Sequence, residues 1–243
     1  MGQVTGDFQT KTTTGNWSDF NSWNIYNSSA WIPAVAGQIP LATSNVFVQF
    51  SNTINVDITT AVCNDLSFTA TLTTLKVVVL ANNTLTIYGN LNQFDNTNVP
   101  FPSFGANAKL IFAGGGNQII TNSGANTNLN TVEINKSGGS FTLPGATTKF
   151  NVFTLSAGTI TGAAGSTLQG NSTAAIVNVN GGIWNQNLGG ANKIPPLVIV
   201  TFEKLYPSPT PLVVDNVIAP LFIFNIQLAP PVPPFILFAP PKF

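Results

Sequence analysis

The 243 residues include no histidine and no arginine. The first absence removes the commonest general base, and the second removes the bidentate clamp for carboxylate and phosphate. Charge is scarce altogether. Eight lysines stand against eight carboxylates, the net charge is zero, and charged residues make up only 7% of the chain, where about a quarter is usual. Without a basic stripe, nucleic acid is not an expected partner. Cys63 is the single cysteine. An internal disulfide is therefore impossible, and no zinc site can be assembled from Cys and His. No metal or cofactor is expected, and no catalytic residue is assigned.

Long apolar runs are missing too. Met1-Gly2-Gln3-Val4-Thr5-Gly6-Asp7 has neither the basic start nor the apolar stretch of a leader. It reads as the mature start of an exported chain with an added initiator. The most apolar region, residues 212–238, is interrupted by Asp215, Pro220, Pro230, Pro231, Pro233 and Pro234. A spanning helix needs about 20 uninterrupted apolar residues, so no transmembrane segment is expected.

What the chain has instead is asparagine (30), threonine (29) and glycine (21). Proline is unevenly placed: 12 of 17 lie at or beyond Pro195. Proline cannot donate to a sheet ladder, so residues 195–243 are expected to form an extended, apolar tail. Three regions follow: an aromatic N-terminal cap over 1–45, a repeat region over 46–194, and the tail.

Short β-type triplets recur through the middle region. They are Val46-Phe47-Val48, Leu66-Ser67-Phe68, Leu85-Thr86-Ile87, Leu110-Ile111-Phe112, Val132-Glu133-Ile134, Phe153-Thr154-Leu155 and Val177-Asn178-Val179. Their outer members are apolar and their centres mostly polar, the alternation of a half-buried strand. Asn82-Asn83, Gly114-Gly115-Gly116, Gly138-Gly139 and Gly181-Gly182 supply turns between them. No helical periodicity is present. The expected fold is all-β, a parallel β-solenoid with coils of about 20 residues. Leu66, Leu85, Leu110, Val132 and Phe153 would stack inside, and Ser67, Thr86, Ile111, Glu133 and Thr154 outside. A β-sandwich is the alternative, since each repeat could instead be a pair of antiparallel strands.

Gly15-Asn16-Trp17-Ser18-Asp19-Phe20-Asn21-Ser22-Trp23, with Pro33 and Asn45-Val46-Phe47-Val48, resembles the start of secreted surface proteins of Bacteroidetes. Lys109-Leu110-Ile111-Phe112 with Gly116-Asn117-Gln118-Ile119-Ile120 is similar to their recurring unit, and residues 132–139 and 153–160 are similar to the units that follow. The resemblance spans about residues 8–192. It implies a β-helical segment of an adhesin-like protein, exported by the type IX secretion system to the cell surface, where some relatives serve gliding motility or attachment. The tail is outside the resemblance.

Trp17, Trp23, Tyr26 and Trp31 cluster within 15 residues. They suit either a sugar-stacking platform or a plug for the open end of the first coil, and the plug is preferred, because Trp and Tyr combine bulk with a polar handle. The acids Asp57 and Asp65, eight residues apart, are the nearest approach to a paired-carboxylate site. They lack a third acid one coil later and any arginine, so they are expected to be solvated or to cap turns. Cys63 is expected to be a small buried hydrophobe. In the tail, Leu221-Phe222-Ile223-Phe224 has strong strand propensity and no charge. It is expected either to fold back as the solenoid's C-terminal cap or, by preference, to dock onto secretion or outer-membrane machinery or a neighbouring copy, for example by adding a strand to a sheet edge. The expected function is structural or adhesive, at the bacterial surface, with glycans as a possible ligand. A carbohydrate-binding module and, remotely, a β-helical polysaccharide-degrading enzyme are the alternatives.

Overall fold

A computed structural model of the chain describes residues 2–49, 51–68, 77–93, 103–122, 126–163, 166–170, 175–184, 199–202 and 224–226. The chain is all-β, and its parallel strands stack as a β-solenoid. The β-sandwich alternative fails on strand direction. Among the described strands, the antiparallel pairings are confined to the N-terminal hairpin, and every other pairing is parallel.

Each coil has three sides. The first face carries Phe8–Thr10, Val46–Val48, Leu66–Phe68, Leu91–Gln93 and Gln118–Asn122. The second carries Thr14–Asn16, Thr53–Val56, Val77–Val79 and Ser103–Phe104 as one sheet, and Asn126–Asn128, Thr147–Phe150 and Thr167–Gly170 as another. The third carries Ala61–Cys63, Thr84–Ile87, Lys109–Gly114 and Ile176–Val179. Two long strands, Thr131–Leu143 and Val152–Gly162, run round the corner from the third face to the first, and their mutual register shifts at the corner, between Asn135 and Ser140.

The third face shows the repeat most cleanly. Its inward column runs Ala61, Leu85, Leu110, Val132, Phe153, Val177. The steps are 24, 25, 22, 21 and 24 residues, as the residue numbers give them. The outward column Thr86, Ile111, Glu133, Thr154 falls as expected from the triplets. Leu66 and Ser67 do not belong to these columns. They pair with Leu91 and Asn92 on the first face, and Ser67 is buried. The triplets of two faces look alike because each alternates once, so a single spacing of about 20 merged them.

The core is a narrow apolar column. Phe68, Phe112, Phe141, Phe150 and Phe153 are fully buried, with Leu, Ile and Val between them. Each such side chain contributes about 1.5–3 kcal/mol through removal from water. No coil closes this column alone, so stacking drives the fold. At the N-terminal end the hairpin Trp23–Tyr26 and Trp31–Pro33 runs antiparallel to Phe8–Thr10 and covers the edge that strand would expose.

Within residues 195–243, the described parts are two strands. Ile199–Phe202 pairs with Ile176–Val179, and Phe224–Ile226 pairs with Ile199–Phe202, both in parallel. The ladder therefore crosses residue 194. The intervening prolines are compatible with this because none falls within either strand. Leu221, Phe222 and Ile223 lie outside the described residues. Phe224 pairs with Val200 of its own chain.

Candidate functional site: an aromatic and amide face at the N-terminal end

Strand register separates the four clustered aromatics into two groups. Phe8, Thr10, Trp23 and Ile25 alternate toward the core. Trp17 and Trp23 are both 0% exposed. Their rings meet edge to face at 5.3 Å, Phe8 meets Trp23 edge to face at 6.1 Å, and the indole N–H of Trp23 donates to the Trp17 carbonyl at 3.0 Å. A ring with no exposed face cannot stack on a sugar. Trp17 and Trp23 are therefore members of the buried core.

Tyr26 and Trp31 point the other way and are half-buried. They are register partners across the hairpin, with ring centroids 5.3 Å apart and planes tilted by 59°. Trp31 also packs edge to face on Phe47, at 5.9 Å and 74°. Phe47 was read only as the centre of a strand triplet. It is the one bulky apolar residue at an outward triplet centre beside this hairpin, and that departure from polar alternation was the available signal.

Register places more residues on this surface. Phe47 pairs with Gln9, Gln9 with Asn24, and Asn24 with Pro33. Directly opposed residues share a face. Gln49, two positions beyond Phe47, donates through its amide to the Gln9 side-chain carbonyl at 3.1 Å. Phe47 is itself buried, at 9% exposed, and supports Trp31 from beneath, so the surface combines two rings, Tyr26 and Trp31, with the amides of Gln9, Asn24 and Gln49. None of these residues is charged.

The described carboxylates are occupied by the fold. Asp7 accepts from the backbone N–H groups of Val4 (2.8 Å) and Asn45 (3.2 Å), and Asp19 accepts from Asn21. Asp57 accepts from the N–H and hydroxyl of Ser18, one coil away, and Asp65 from the N–H of Asn90 at 2.6 Å. Asp57 and Asp65 thus secure different turns, at opposite ends of the strand Ala61–Cys63. Glu133 accepts from Lys109 and from Ser156, each at 2.7 Å. Burial raises the Glu133 pKa, but the Lys109 and Ser156 hydrogen bonds and the lysine charge outweigh it, and the carboxyl titrates below its usual range. Among the described residues no three Cys, Asp or Glu gather into a metal-holding group. Cys63 is free and buried. Burial pushes its thiol pKa far up, and the Asp65 charge adds to that, so the thiolate is suppressed.

One buried polar cluster was not anticipated. Lys136 is 2% exposed, and its ammonium donates to the Gln118 side-chain carbonyl at 2.7 Å. The Gln118 amide in turn donates to the carbonyls of Ile87 (3.0 Å) and Gly89 (2.6 Å). Burial lowers the Lys136 pKa. The cluster links three successive coils. Its signal was in the sequence: Val132, Ile134 and Lys136 hold alternate positions of one strand, so the lysine follows two inward residues.

Among the described residues, no helix is long and apolar enough to cross a membrane. Compared with family models, curated proteins and solved structures, the chain matches none.

Proposed function

We propose that this chain is a non-catalytic, adhesive stretch of a secreted bacterial surface protein. The observation that carries the proposal is the use of the described carboxylates as structural acceptors, on a solenoid whose outer columns are mostly amides, hydroxyls and methyl groups. A hydrolase or lyase needs acids free to exchange protons with substrate. An attachment rod needs a long, regular and protease-resistant surface, and stacked coils supply one. The resemblance of residues 8–192 to Bacteroidetes surface proteins supports the same reading. It adds export by the type IX system, with that machinery or neighbouring copies as partners of the C-terminal region.

The test is external protease treatment of intact source cells, combined with attachment assays before and after deletion of the gene. Removal of the protein by protease and loss of attachment are expected. A protein protected inside the cell, or polysaccharide cleavage abolished by Asp57→Asn or Asp65→Asn, would overturn the proposal.

A further inference from the structure

We propose that the Tyr26–Trp31 face, seated on the buried Phe47 and flanked by the amides of Gln9, Asn24 and Gln49, docks an uncharged polysaccharide chain. This rests on the adhesive reading and names the chemistry of what is held. A glycosyl unit has an apolar face of C–H groups and a rim of hydroxyls. An aromatic ring accepts the first through dispersion and its negative π face, and amides pair with the second as donor and acceptor at once.

Three observations favour this occupant. First, the rings stand ready. Trp31 is clamped between Tyr26 and Phe47, and Tyr26 is fixed to Trp31 by strand pairing. Little side-chain freedom is left to lose on binding. Second, Gln9 and Gln49 hold each other's orientation through the 3.1 Å bond, beside the rings on the same face. Third, the register-defined positions Gln9, Asn24, Tyr26, Trp31, Pro33, Phe47 and Gln49 hold no charge. A uronic or sulfated glycan would lose hydration there with no ion pair at these positions to compensate. Nucleic acid could stack on the rings, but its phosphates would go unneutralised. The buried Trp17 and Trp23 keep the platform rigid from behind through their contacts with each other and with Phe8.

The probes are cellohexaose, xylohexaose and maltohexaose, with hexagalacturonate as the charged control, titrated calorimetrically into the full chain. Saturable binding to at least one neutral hexaose is expected, with none to hexagalacturonate. Trp31→Ala should weaken it at least tenfold, which is about 1.4 kcal/mol. Trp31→Phe should weaken it less, and Gln9→Ala severalfold. Should Trp31→Ala melt early, Trp31→Phe and Gln9→Ala decide the matter on folded protein. No binding to any neutral hexaose overturns the inference, as does binding indifferent to all three variants. So does concentration-dependent dimerisation abolished by Trp31→Ala, which would assign the face to a second copy. If gene deletion stops attachment but the neutral hexaoses do not compete with it, the adhesive reading stands and the glycan inference falls.

Discussion

The corner between the third and first faces is built in two ways along one molecule. In the N-terminal coils it is an amide and carboxylate ladder. The side-chain oxygen of Asp7 accepts from the Asn45 N–H, that of Asn45 from the Asp65 N–H, that of Asp65 from the Asn90 N–H, and that of Asn90 from the Ile119 N–H. In the later coils the same corner is glycine: Gly114, Gly139, Gly158 and Gly182 all have positive φ, between +61° and +95°. There the strand continues round the corner, so that Thr131–Leu143 runs for 13 residues, and its register to Val152–Gly162 shifts between Asn135 and Ser140. Asn117, which accepts from the Ser140 N–H at 3.0 Å, marks the transition. The Lys136–Gln118 cluster lies at the same place and reaches back to Ile87 and Gly89. A coil can satisfy corner N–H groups with a side-chain acceptor, or remove the side chain and let backbones approach.

The two solutions should fail differently. A methyl added at Gly139 would sit 2.6 Å from the Gly116 backbone at φ +61°, and one at Gly182 would sit 2.5 Å from the Gly158 carbonyl oxygen at φ +86°. Neither obstacle is the end of a flexible side chain. Gly139→Ala and Gly182→Ala should each cost about 2–4 kcal/mol, combining left-handed strain with backbone displacement. Chemical denaturation would read this as a lower midpoint, and a midpoint unchanged within error would refute the stacked-glycine corner.

The ladder should tolerate more. Asp65→Ala leaves the Asn90 N–H without its acceptor and should cost about 1.5–3 kcal/mol, the range for hydrogen bonds to charged groups. Asp65→Asn keeps an acceptor in place and should cost less than about 1 kcal/mol. Thermal melts of the two variants together test whether geometry or charge matters at this corner. Equal losses would assign the contribution to charge.

The smallest effects are those of pH. Lys136 has a folded pKa below the ordinary 10.5 because it is buried. Between the two values the unfolded chain binds more protons, so this group makes stability rise with pH through that window. Lys136→Met should flatten that alkaline rise in denaturation midpoints taken across the window. Glu133 works in the opposite limb. Its folded pKa lies below the unfolded one, so its contribution is present above the unfolded value and is lost as pH falls through the folded value. Glu133→Gln should flatten the acid limb slightly, since Lys109 is 41% exposed and the pair is partly screened. An acid limb as steep as that of the parent would show that the pair contributes nothing measurable.

Much of the architecture could be read from the chain before its structure. Alternating triplets, turn residues at short intervals and missing helical periodicity suffice for an all-β solenoid, because strand alternation and the inability of one coil to bury its apolar side are local consequences of residue order. The inward column from Leu85 to Phe153 was legible for that reason. The assignment of Leu66 and Ser67 to a different face was not. A triplet records which way its side chains alternate but not which of three sides it occupies, and only the ladder pairs Leu66 with Leu91 rather than Leu85.

The N-terminal aromatics divide along the same line. Their clustering in residues 17–31, and the bulk that suits them to an end plug, follow from residue order alone. Which rings are buried depends on tertiary register: Trp23 opposes Thr10 on the inward side, while Trp31 opposes Tyr26 on the outward side and folds onto Phe47. Residue order determined the strands, the scarcity of charge and the chemistry available. Only the stacking of coils decided which residues meet, because residues 20 to 40 positions apart become neighbours through ladder hydrogen bonds that no local pattern encodes.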